Sequence, residues 1–151
     1  MAIFPRLHKF DTEPMTKVMP LYHQLTSLLQ KALPQIQAIY LFGSIAQGQS
    51  TPESDVDIAI LCPERLEPLH RWNLAQQLAR ELHRDVDLID LQQASTVMRF
   101  QVVSTGERIY TQDENKMAWW ELQAYQLYLT LNDDRRPILD EIQKTGTIYG
   151  R

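Results

Sequence analysis

The sequence predicts an α/β fold, a small β-sheet with flanking helices. Short aromatic and β-branched runs at Ile39–Phe42, Asp55–Leu61, Arg84–Leu91 and Glu107–Thr111 read as strands. Leucines at three- and four-residue spacing lie before and between them, which is the pattern of amphipathic helices. A length of 151 residues, with 44% apolar and 23% charged residues, suits one domain with a real core.

The elements follow in chain order. Residues 1–14 carry two prolines and read as an irregular N-terminal arm. Leu21, Leu25, Leu28, Leu29 and Leu33 predict a helix over Pro20–Ala32, with Pro20 in its first turn and Pro34 ending it. Ile39–Phe42 is the first strand. Gly43 closes it and can adopt backbone angles barred to other residues. Ile45-Ala46-Gln47 predicts a short helical turn whose free N–H groups suit a phosphate, and Gly48 breaks it. Gln49–Ser54 is a polar loop with a proline. The second strand, Asp55–Leu61, leads to a helix over Leu69–His83 with Leu74, Leu78 and Leu82 on one stripe. After the third strand comes a helix over 94–105, stopped by Gly106, and then the short strand Glu107–Thr111. Asp113 caps a helix running to about Leu131. Asn132-Asp133-Asp134 predicts its end, with a last short helix around Pro137–Lys144. The domain layout is therefore an arm (1–14), a core (15–112) and a C-terminal helical segment (113–151). That segment holds Met117, Trp119, Trp120, Leu122, Tyr125, Leu127, Tyr128 and Leu129, more apolar surface than one stripe needs. Packing on the sheet and binding a partner both account for it.

The chemistry concentrates between residues 43 and 57. Gly43 and Ser44 end an apolar run, ten residues follow, and Asp55-Val56-Asp57 opens the next. Strand alternation points Asp55 and Asp57 to one face while Val56, Ile58 and Ile60 point to the other. Two carboxylates so placed repel each other, and a cation compensates them. Oxygen-only ligands suit Mg²⁺ or Mn²⁺ rather than zinc. Arg84–Leu91 offers a third carboxylate. Asp87 lies mid-strand between apolar residues, where an unpaired charge is expensive unless it completes a metal site. Asp85 is the alternative, with Arg84 or His83 as its partner. Asp90 reads as a strand end or helix cap.

These residues resemble the nucleotidyltransferase fold of the polymerase β superfamily. The Gly43-Ser44, ten-residue, Asp55-x-Asp57 spacing and the separate apolar-Asp87-apolar strand carry the resemblance, which spans roughly Pro20 to Thr111. The small size resembles the minimal nucleotidyltransferase (MNT) branch and its antitoxins, which are encoded with HEPN-domain ribonuclease toxins. The resemblance implies a small mixed sheet with flanking helices. It also implies an antitoxin that transfers AMP from ATP to a tyrosine of its toxin, with which it forms a hetero-oligomer. Asp55 and Asp57 would hold the metal that carries the triphosphate, Asp87 a second metal near the attacking hydroxyl, and Gly43 and Ser44 the β- and γ-phosphates. Two rivals stand beside this: transfer of AMP to a small molecule, and a non-catalytic antitoxin that blocks its toxin by binding.

A net charge of −4 argues against dense, direct nucleic-acid binding. No run is long enough to span a bilayer, no signal-peptide pattern opens the chain, and Cys62 is the single cysteine, so a cytoplasmic protein is expected. His8, His23, His70 and His83 show no metal-site spacing. Arg6, Lys9 and Arg99 are free to be read as phosphate contacts, with nothing local to single them out.

Overall fold

Every strand expected from the apolar runs forms, and together they build one sheet. The computed structural model describes residues 15–43, 46, 48 and 54–145, with side chains from residue 20 to residue 133 of that set. The elements are α1 (Met15–Ala32), β1 (Ala38–Phe42), β2 (Val56–Leu61), α2 (Pro68–Leu82), β3 (Val86–Asp90), α3 (Thr96–Thr105), β4 (Glu107–Thr111) and α4 (Glu114–Thr145). The strand order is β3-β2-β1-β4. β1 pairs antiparallel with β2 and β4, whereas β2 and β3 run parallel, so the sheet is mixed. This is the small mixed sheet with flanking helices that the resemblance implies.

Strand alternation divides the core into two layers. On one face, Ile39, Leu41, Val56, Ile58, Ile60 and Leu88 pack against Leu25 and Leu29 of α1 and Leu74 and Leu78 of α2. On the other, Ala38, Tyr40, Phe42, Ala59 and Leu61 pack against Val102 of α3 and Met117 of α4. The leucine stripes read from the sequence are the ones that bury these helices.

Two helix boundaries differ from the sequence reading. α1 begins at Met15, so the exposed Pro20 sits inside the helix rather than in its first turn. Proline withdraws one intrahelical bond there. The buried Leu25 and Leu29 further along hold the helix to the sheet regardless. α4 runs unbroken through Asn132, Asp133 and Asp134 to Thr145. Asn and Asp are weak helix formers, but each costs only about 0.7 kcal/mol relative to alanine. Three such residues do not outweigh a helix already nucleated and packed upstream. Its start is as expected: the Asp113 side chain accepts from Lys116 N at 3.2 Å and its carbonyl from Met117 N at 3.0 Å. α3 is capped by Ser95, which accepts from Met98 N. The N-terminal arm, with His8, Arg6 and Lys9, lies outside the described residues.

Candidate active site

Three strands bring the candidate residues to one end of the sheet. Phe42, the last residue of β1, pairs with Asp57 near the start of β2, and Asp57 pairs with Asp87 near the start of β3. Neighbours in register share a face. Val56, Ile58 and Ile60 fill the α1/α2 layer, so Asp57 and Asp87 belong to the α3/α4 side. Asp55 directly precedes β2 and is exposed.

Gly43 continues directly from Phe42 with φ +71°, in the left-handed region. A Cβ on Gly43 would lie 2.1 Å from Asp57 Oδ2. The turn and the carboxylate therefore touch, and only glycine permits it. Gly48 also has positive φ, but among the described residues no atom lies within 4 Å of where its Cβ would be. Ser44, Ile45 and Gln47 lie outside the described residues, and with them the helical turn expected there.

The electrostatics tie the three carboxylates together. Asp57 is half-buried, and its carboxyl is raised above its ordinary range, first by burial and then by the charges of Asp87 and Asp55. Among the described residues no ion pair neutralises any of them. Nor are three metal-ligating side chains gathered there into a ready coordination shell. Mutually repelling, oxygen-only donors without a cationic partner are the donor set that a hard divalent ion suits. Asp55, Asp57 and Asp87 are the residues that could hold such an ion.

The β3 carboxylates differ in where the register places them: Asp87 pairs with Asp57, and Asp85 precedes the strand. Asp87 is exposed, not enclosed by apolar neighbours. Register with Asp57, rather than the cost of burial, is what brings it to the site. Asp85 is exposed and its carbonyl accepts from Val56 N. Asp90 is 4% exposed and acts as a structural cap. One of its oxygens accepts from Leu66 N at 2.7 Å and Gln93 Nε2 at 3.1 Å, the other from Gln92 N at 2.9 Å. Arg99 is engaged elsewhere: its Nε and one terminal nitrogen donate to the carbonyls of Leu91 and Gln92. Cys62 is buried, its thiol pushed up to about 11 by burial and by Asp90.

The sequence reading passed over a buried polar group behind the site. Glu121 of α4 is 1% exposed and accepts from the Tyr40 hydroxyl at 2.6 Å and from Arg108 at 3.3 Å. A signal was available: Glu121 occupies the helical stripe shared with Met117 and Ala124, both buried, where an apolar residue is expected.

The strand order, the glycine turn and the paired carboxylates agree with a match of residues 23–115 to the polymerase beta, nucleotidyltransferase family. The chain belongs to that family. Within it, the chain is 40% identical over 121 residues to the protein adenylyltransferase MntA of Shewanella oneidensis, covering 80% of this chain and 86% of that one. A toxin–antitoxin crystal structure with AMP-PNP matches at 38% identity and a TM-score of 0.75, over 81% of this chain and 98% of that one. A Shewanella oneidensis MNT antitoxin in complex with its tri-AMPylated HEPN toxin matches at 35% identity and a TM-score of 0.69, over 81% and 95%.

Proposed function

We propose that this chain is an antitoxin that transfers AMP from ATP to a tyrosine hydroxyl of a cognate HEPN-type ribonuclease toxin and so silences it. The observation that carries this reading is the Asp57–Asp87 register beside the Gly43 turn, in a chain 40% identical to a protein adenylyltransferase. The AMP-PNP complex and the tri-AMPylated toxin of the similar structures support ATP as donor and a protein as acceptor.

In the reaction, the acceptor oxygen attacks the α-phosphorus, the bond from that phosphorus to the β-bridging oxygen breaks, and pyrophosphate leaves. Gly43 and Ser44 are assigned the β- and γ-phosphates, with the backbone of the turn doing the holding. Asp55 and Asp57 are assigned the ion that accompanies the triphosphate. Asp87 is assigned a second ion and the proton released by the acceptor hydroxyl. Mg²⁺ or Mn²⁺, when bound, supplies charge neutralisation for the attacking and leaving oxygens. Positioning and electrostatics then do most of the catalysis.

The α4 segment is assigned to the partner. Its outer surface leaves Trp119 66%, Leu127 50% and Leu129 59% exposed, while Met117, Glu121 and Ala124 bind it to the core. An arm (1–14), a core (15–112) and a partner-binding C-terminal segment (113–151) remain our division of the chain. No helix among the described residues is long and apolar enough to cross a membrane. An ATP-consuming enzyme with one buried thiol suits the cytoplasm.

The test is an Asp55→Ala, Asp57→Ala double variant mixed with the toxin. Loss of neutralisation is the expected result. Neutralisation that persists with no AMP incorporated anywhere would establish a steric inhibitor instead.

A further inference from the structure

We propose that Glu121 is a positioning residue. With Tyr40 and Arg108 it fixes α4 on β1, so that a protein acceptor held by α4 meets the Gly43–Asp57–Asp87 end of the sheet in register. The proposal rests on the adenylyl-transfer reading.

Tyr40 is fully buried, three residues before Gly43, and points into the same layer as Phe42, whose strand partner is Asp57. Its own partner across the strands is Ala59, two residues beyond Asp57. The Tyr40 hydroxyl donates to Glu121 Oε2 at 2.6 Å, and Arg108 of β4 donates to the same oxygen at 3.3 Å. The other terminal nitrogen of Arg108 donates to Glu114 Oε2 at 2.5 Å. Glu114 and Glu121 are two turns apart, so Arg108 straps α4 to β4 along one face.

Packing alone does not call for this group. The surrounding layer is apolar, with Ala38, Phe42, Leu61, Val102 and Met117. Taking a carboxylate out of water there is costly, and an apolar side chain of similar volume is commonly as stable or more so. What the polar group adds is register. Apolar surfaces tolerate small slides and rotations, whereas one oxygen shared by a strand hydroxyl and a guanidinium is satisfied in a single placement. The placement it selects joins the strand that ends in the phosphate turn to the helix assigned to the partner.

The experiment compares wild type with Tyr40→Phe, Glu121→Gln and a Tyr40→Phe, Glu121→Leu double variant. Melting temperature, affinity for AMP-PNP, and kcat and KM for AMP transfer to the HEPN protein are measured for each. Glu121→Gln keeps an oxygen for Tyr40 and should stay near wild type. The double variant should fold and bind AMP-PNP as wild type does, yet lose about tenfold in kcat/KM for the protein acceptor, expressed mainly in KM. Tyr40→Phe, which deletes one oxygen, should lose part of that and secures the test if the double variant does not fold. Transfer at the wild-type rate in both would overturn the proposal. So would a loss that follows melting temperature and AMP-PNP affinity together, since that marks a merely structural role. A wild-type chain that transfers no AMP overturns the underlying reading, and this role with it.

Discussion

Replacing Gly43 with alanine separates fold from function in a single methyl group. The new Cβ would sit 2.1 Å from Asp57 Oδ2 and 3.1 Å from its Cγ. Contacts below 3.0 Å are not sustained, so the carboxylate must retreat by about 1 Å. It is the free end of a side chain and can move. The stability cost is then chiefly that of holding alanine at φ +71°, about 1–2 kcal/mol, or a fall of roughly 2–8 °C in melting temperature for a chain this size. The activity cost is larger. A displacement of about 1 Å in a reacting constellation commonly costs about 10²-fold. Gly43→Ala should therefore remain folded and transfer AMP roughly a hundredfold more slowly, read by thermal melting and by labelled AMP incorporation into the toxin. A variant that transfers within about fivefold of wild type would show that the turn and Asp57 are not mechanically coupled.

Other perturbations sort the carboxylates and the caps. Asp57 has its carboxyl raised in the folded chain, so proton binding stabilises the fold below the ordinary carboxylate range, and that gain is lost as pH rises through the raised value. At neutral pH without divalent ions, Asp57→Asn should thus melt no lower than wild type. Added Mg²⁺ should raise the melting temperature of wild type and not of the variant; an equal rise in both would count against Asp57 as a ligand. Asp87→Asn should abolish transfer with little change in melting. Asp90→Asn removes an acceptor from the cap of Leu66, Gln92 and Gln93 and should cost about 1–3 kcal/mol in denaturant unfolding while keeping transfer. The reverse pattern would exchange their roles. His83, the C-cap of α2, holds φ 55°, and His83→Gly should stabilise by about 1 kcal/mol with transfer unaffected.

Local signals explain what the sequence disclosed. Two short apolar runs separated by glycine and a polar loop specified β1, the turn and β2, because burial and backbone freedom there depend on adjacent residues. The leucine spacing of α1 and α2 was legible for the same reason. The end of α4 was not: Asn132-Asp133-Asp134 is a local stop signal, and a helix fixed by contacts far upstream overrides it. Burial is what singles out Asp87 in the sequence, whereas its place beside Asp57 comes from the parallel register with β2, which no local pattern encodes. The Tyr40–Glu121 bond joins residues 81 apart in sequence, and only the misplaced polarity of Glu121 hinted at it.

The most direct test of AMP transfer is intact-mass spectrometry of both proteins after the chain is incubated with ATP, Mg²⁺ and the HEPN protein proposed as its partner. The partner is expected to gain one AMP mass or a multiple, and the Asp55→Ala, Asp57→Ala variant to add none. An unmodified partner held in a tight complex by the wild-type chain would contradict AMP transfer.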